Sequence, residues 1–214
     1  MAEKVILCFG DSNTHGTMPM AAFGDRGRFD RDTRWPGAMA QALGPGFHII
    51  EEGHPGRTTV HCDPYDGDHK NGAMVLPAIL ESHAPIDLLL IMLGTNDLKS
   101  MFSVGPQDIA LSLERLVRIA RTAECGPSGA TPEIVLIIPA DVVETGIFAE
   151  MFAGGADKSR RLTGAIAAAA DRIGVRVFDA NSVISVDAQE GIHFDGESHR
   201  QLGRAMAVLV SKIL

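Results

Sequence analysis

Four short blocks of this chain hold the residue types needed for nucleophilic acyl transfer. Gly10-Asp11-Ser12-Asn13-Thr14 follows one apolar run, Gly53-His54-Pro55-Gly56-Arg57-Thr58-Thr59 a second, and Gly94-Thr95-Asn96-Asp97 a third, while Glu190-Gly191-Ile192-His193 stands late in the chain. A serine hydroxyl is a weak nucleophile until an adjacent base takes its proton, and the base needs an acidic partner to fix its tautomer and stabilise the imidazolium. Ser12, His193 and Glu190 can fill these three roles. Asp187, six residues before the histidine, and Asp195, two after it, are alternatives for the acid. Attack on a carbonyl also places negative charge on its oxygen, which preorganised N–H donors must meet. The backbone N–H groups of Ser12 and Gly56 and the side-chain amide of Asn96 are the candidates for such an oxyanion hole. Gly56 has no side chain to hold a substrate oxygen away, and the amide of Asn96 does not titrate.

Groups so distant in sequence meet only if the fold brings loop ends together, and the hydrophobic pattern predicts such a fold. Apolar runs over 5–10, 47–51, 87–93, 133–139 and 175–179 lack period-two alternation, as strands of a parallel sheet covered on both faces do. Between them, segments 34–43, 71–83, 106–123 and 157–173 space apolar residues at three and four, and a last helix is expected from about 198 to 213. Alternating βα units imply an α/β fold in one domain spanning 1–214. In an open parallel sheet, ligands bind outside the carboxyl ends of the strands. Ser12, the Gly53–Thr59 block and Asn96 all follow such ends. The segments 13–33 and 53–70 are long for loops of a compact domain, and such loops are commonly functional.

Other residues have plainer readings. Asp11 and Asp97 are short acidic side chains suited to accepting backbone N–H groups of the turns that present Ser12 and Asn96. Asp63, Asp66, Asp68 and His69 lack the closing glutamate of an EF-hand calcium loop and read as a solvated loop. Met18, Met20, Met101, Phe102, Phe148, Met151 and Phe152 fall near the expected mouth, where they would line an apolar channel or an interface. His48, His83 and His199 read as packed residues with a backbone hydrogen bond. Cys8, Cys62 and Cys125 show neither disulfide nor zinc spacing and read as reduced thiols.

The four blocks, in this order and on these elements, resemble the GDSL/SGNH hydrolase family across almost the whole chain. Cys8-Phe9-Gly10-Asp11-Ser12, Glu51-Glu52-Gly53, Arg57-Thr58-Thr59, Ile91-Met92-Leu93-Gly94-Thr95-Asn96-Asp97 and Gly191-Ile192-His193-Phe194 look closest to its bacterial arylesterase and acyltransferase branch. The resemblance implies a three-layer α/β/α, flavodoxin-like sandwich around a five-stranded parallel sheet. It also implies Ser12 as nucleophile, His193 as general base and then acid, and Ser12, Gly56 and Asn96 as the oxyanion hole. No metal or organic cofactor is expected, and the implied assembly is a homo-oligomer whose neighbouring subunits narrow the channel. The implied activity is hydrolysis of short-chain, acetyl-type esters of aryl, alkyl or sugar alcohols, with acyl transfer to an alcohol or to hydrogen peroxide (perhydrolase activity) as an extension. A carbohydrate acetylesterase or lysophospholipase on the same groups is the nearest alternative, and a non-catalytic carbohydrate-binding or receiver-like module is one of another class. One position departs from the family pattern. The usual acid is an aspartate three residues before the histidine, whereas this chain carries Glu190, one methylene longer, so a different rotamer or a shifted loop is required.

Bulk properties set outer limits. With 45% hydrophobic and 21% charged residues over 214 positions, the chain has the composition of an ordinary globular protein. A formal charge of −8 disfavours nucleic acid and anionic lipid as partners. The apolar run 5–9 is far shorter than a signal-peptide core or a membrane span, which gives the expectation of a cytoplasmic enzyme acting on a small-molecule ester.

Overall fold

The computed structural model describes residues 3–214. Strands β1 (Lys4–Gly10), β2 (Phe47–Gly53), β3 (Leu88–Met92), β4 (Glu133–Ile138) and β5 (Arg176–Asp179) form one parallel sheet in the order β2-β1-β3-β4-β5. Register follows the apolar runs directly: Cys8 lies between Glu51 on β2 and Leu90 on β3. Every residue of β3 is buried, which a strand with helices on both faces must be.

Successive strand residues point to opposite faces, so each strand feeds two cores. Leu7, Phe9, Leu89 and Ile91 pack with residues of α3 (Gly72–His83), α4 (Pro106–Thr122) and α5 (Gly155–Ile173). Ile6, Cys8, Leu88 and Leu90 pack with α2 (Trp35–Leu43) and α6 (Gly196–Val210), where Trp35, Met39, Leu202 and Met206 are fully buried. Each such large side chain contributes about 1.5–3 kcal/mol by leaving water. The result is the expected three-layer α/β/α arrangement.

Strand order reverses between β1 and β3. The chain leaves β1 towards β2 on one side and returns to β3 on the other, so the loops after these strands diverge and leave a crevice at their carboxyl ends.

The boundaries differ from the pattern-based ones where polar residues carry the turn. Helix α1 (Ser12–His15) is only one turn long, too short for a periodic signal, and forms because the Asp11 side chain accepts from Asn13 N–H. Helices α5 and α6 each begin two residues earlier than their apolar spacing suggests, on glycines that show no periodicity. The long 13–33 segment is closed by an antiparallel bridge between Thr17 and Arg28, and the 53–70 segment by a bridge between Asp63 and Gly67. Among the described residues, no helix is long and apolar enough to cross a membrane.

Candidate active site

Ser12 opens α1 at the end of β1, with its N–H on the first helical residue, where no intrahelical acceptor exists. Its Oγ lies 3.0 Å from His193 Nε2. On the other side of the imidazole, Nδ1 bonds Glu190 Oε1, while Glu190 Oε2 accepts the backbone N–H of Ile192 and of His193, each at 2.8 Å. The extra methylene of glutamate is accommodated by the loop itself. Gly191 turns the chain at φ +91°, and a Cβ there would stand 2.1 Å from the Val143 carbonyl oxygen, so only glycine fits this turn.

The alternative acids are occupied elsewhere. Asp187 accepts the N–H groups of Gln189 and Glu190, shaping the loop from behind. Asp195 caps α6 by accepting from Ser198 N–H. Glu190 is thus the carboxylate that meets His193.

The candidate donors line the same cleft. Asn96 heads a 3-10 turn, Asn96–Leu98, just beyond β3, and lines the cleft that Ser12 and His193 share. One N–H of its amide donates to the Arg57 carbonyl at 3.1 Å, which aims the group. Gly56, at φ +78°, lines the same cleft, and among the described residues its N–H meets no acceptor. Lys70 props this loop by donating to Pro55 O at 2.8 Å.

Buried polar groups set the frame. Arg57 donates to the carbonyls of Gly10 (2.9 Å) and Glu52, joining the ends of β1 and β2, and its guanidinium stands 4.2 Å from the Phe9 ring centre. Burial lowers its pKa to about 10, which leaves it a cation at neutral pH. Asp97 accepts Thr59 N–H and the Thr59 hydroxyl, tying the Asn96 turn to the loop after Gly56, and so does the structural work expected of it. Burial pushes Asp97 up to about 7 and Asp11 up to about 6, against the hydrogen bonds that favour their ions. Glu190 moves the other way. Burial alone would raise it, but the bond and charge of His193 and the two loop N–H groups outweigh burial and hold it below the usual carboxylate range.

The cleft measures about 400 Å³ and is lined by both apolar and polar groups. Met20, Phe148, Met151 and Phe152 supply apolar surface, with the Phe148 ring edge-on to the imidazole at 5.9 Å. Gly56, Asp66, Lys70, Asn96 and Lys99 supply polar groups. Of the mouth residues expected from sequence, Met18, Met101 and Phe102 do not line this cleft; the Phe102 ring stacks on His61. A larger hollow of about 580 Å³ at the opposite end of the sheet holds no comparable constellation. Its Arg121 bonds the Ile173 carbonyl and its Arg176 pairs with Glu133.

Sequence reasoning missed Asn13. Its amide donates to Ile192 O and its carbonyl accepts Phe194 N–H, both at 3.1 Å, so it clamps the His193 loop onto α1. Its place next to Ser12 is the sole clue in the sequence. Lys70 and Lys99 were missed as well, since lysines ordinarily face solvent.

Comparison with known proteins identifies the family and the fold. A search of curated proteins gave no match. Among solved structures, an inhibitor-bound aryl esterase of M. smegmatis is 41% identical with a TM-score of 0.94, covering 99% of this chain and 100% of that one. A carbohydrate acetylesterase from Sinorhizobium meliloti is 40% identical with the same TM-score and coverage. A G-D-S-L family lipolytic protein of Veillonella parvula, at 16% identity and TM-score 0.65 over 99% of this chain, shares the fold. The profile of the GDSL-like lipase/acylhydrolase family matches residues 8–201, which takes in all four blocks, from the strand leading to Ser12 to the helix beyond His193, and the chain belongs to that family.

Proposed function

We propose that the protein is a serine esterase acting on short-chain esters through an acyl-enzyme, with Ser12 as nucleophile, His193 as base and Glu190 as its acid. The observation that carries this reading is the unbroken line from Glu190 through both nitrogens of His193 to Ser12 Oγ, 3.0 Å from Nε2. As Oγ attacks the ester carbonyl carbon, Nε2 takes its proton, and Glu190 stabilises the imidazolium through Nδ1–H. The carbonyl oxygen becomes an oxyanion received by the N–H groups of Ser12, Gly56 and Asn96. Collapse expels the alcohol, which recovers the proton from Nε2. Water then repeats the sequence on the acyl-enzyme, releasing the carboxylic acid and restoring Ser12. No step calls on a metal or cofactor.

The apolar lining of the cleft favours acyl transfer as a second outcome. Beside Phe148, Met151 and Phe152, an alcohol or hydrogen peroxide competes with water for the acyl-enzyme, a ratio of products measurable at fixed low alcohol. Exposed Met101 and Met151 beside the cleft support self-association that narrows the channel. Free Cys8, Cys62 and Cys125 support a reducing compartment, the cytoplasm.

An organophosphate tests the core reading. It should label Ser12 stoichiometrically and abolish phenyl acetate hydrolysis, and Ser12→Ala should take no label. A protein that hydrolyses aryl acetates yet is not labelled at Ser12 would overturn the assignment.

A further inference from the structure

Beyond the catalytic cleft lies a second cavity of about 450 Å³, within the roughly 300–1,000 Å³ usual for small-ligand sites. The two adjoin, since Phe23, Asp66, Lys99 and Met151 line both. A bond from Ser100 N–H to the Met151 carbonyl, 2.8 Å, holds their shared walls together. Catalysis as proposed above uses none of the second cavity's polar side chains.

Its floor is a buried charged pair. Lys99 follows Asn96 by three residues and is only 8% exposed. Its sole partner among the described residues is Asp63 Oδ2, at a long 3.4 Å. An ammonium group has three N–H donors, so two of them are left for something else in a place where unmet donors are costly. Asp63 is 3% exposed and shapes the rim: its Oδ1 accepts the N–H groups of Tyr65 and Asp66, which turns both residues outward. Burial would raise the Asp63 carboxyl, but the Asp66 and Tyr65 N–H groups and Lys99 outweigh it and keep it below its ordinary value. The rim carries two large exposed rings, Tyr65 at 85% and Phe23 at 68%. Asp66 and Glu150 add two further carboxylates to the lining.

We infer that this second cavity is the subsite for the leaving alcohol, and that it selects a neutral polyhydroxyl group, a sugar ring. Spare lysine donors next to carboxylate acceptors, close enough to serve adjacent oxygens, match vicinal hydroxyls, each of which both donates and accepts. The aromatic rings offer flat apolar faces to the C–H face of such a ring. With one cation against three carboxylates, an anionic leaving group is repelled. The proposal rests on the esterase reading and adds to it where the alcohol sits.

The test compares three acetyl esters: a methyl glucoside acetylated at one hydroxyl, phenyl acetate, and acetylsalicylate, an aryl acetate bearing a carboxylate. Wild-type protein should hydrolyse the first two and be slower on the third. In Lys99→Met and in Tyr65→Ala, the ratio of kcat/KM for the sugar ester to that for phenyl acetate should fall about tenfold or more, mainly through KM. Glu150→Gln should narrow the gap between acetylsalicylate and phenyl acetate. Tyr65 is exposed, so its variant keeps the test decisive even if Lys99→Met, which unpairs Asp63, fails to fold. An unmoved ratio in Tyr65→Ala and in folded Lys99→Met, or a wild-type protein that cleaves phenyl acetate but no sugar ester, overturns the subsite while leaving the esterase intact. Absence of all turnover and of Ser12 labelling overturns the esterase reading and this proposal together.

Discussion

Two buried carboxyl groups, Glu190 and Asp97, have pKa values displaced in opposite directions. On the histidine side, Glu190 has an imidazole and two backbone N–H groups as partners and is kept ionised. On the oxyanion side, Asp97 is wholly buried, receives its bonds from neutral Thr59, and is pushed up to about 7. Burial acts on both; partner chemistry decides the sign. In the proposed mechanism, the carboxylate that stabilises a transient cation has that cation as its neighbour. A carboxyl that only has to hold two loops together is left largely to the apolar interior.

The comparison can be broken most sharply on the histidine side. Glu190→Gln keeps the shape but removes the charge that stabilises imidazolium and fixes its tautomer, and kcat should fall on the order of 10⁴-fold with fold and Ser12 accessibility kept. Steady-state kinetics alongside circular dichroism check this, and Asp187→Asn, which leaves the ion pair in place, should lose far less. On the other side, Asn96→Ala removes one oxyanion donor and leaves Glu190 untouched. It should cost about 10²–10³ in kcat with KM nearly constant. The smallest effect on rate is expected from Asp97→Asn, whose signature lies in stability. A carboxyl raised from 3.8 to about 7 keeps its proton in the native state where the unfolded chain has lost it. Its contribution is therefore complete below about pH 4 and drains away as pH rises through 7. Denaturant midpoints measured from pH 4 to 8 should show this slope in the wild type and a flatter one in Asp97→Asn. An equal slope in both would show that the proton resides elsewhere.

What the sequence disclosed of this arrangement depended on how local the cause was. The five strands and the helices packed on them were legible because burial on two faces or one writes a period into neighbouring residues. Ser12, Gly56, Asn96 and His193 were legible through their blocks, and Glu190 through its spacing from the histidine. The one-turn helix α1 was not, since a single capped turn has no period to detect. Asn13 was not, because its partners, Ile192 and Phe194, are far along the chain and nothing near Asn13 announces them. Lys99 was hidden for a third reason: its partner, Asp63, is supplied by a different loop.

The Asn13 clamp also bears on how the protein comes to life during synthesis. It joins groups 179 and 181 residues apart, and Ser12 meets its base across an equal span. A ribosome that has made β1 through β4 has released a nucleophile with no base, and every donor of the oxyanion hole waits beside an inert hydroxyl. Contacts of such separation form late in folding. In the proposed mechanism, ester cleavage therefore requires the last loop to dock.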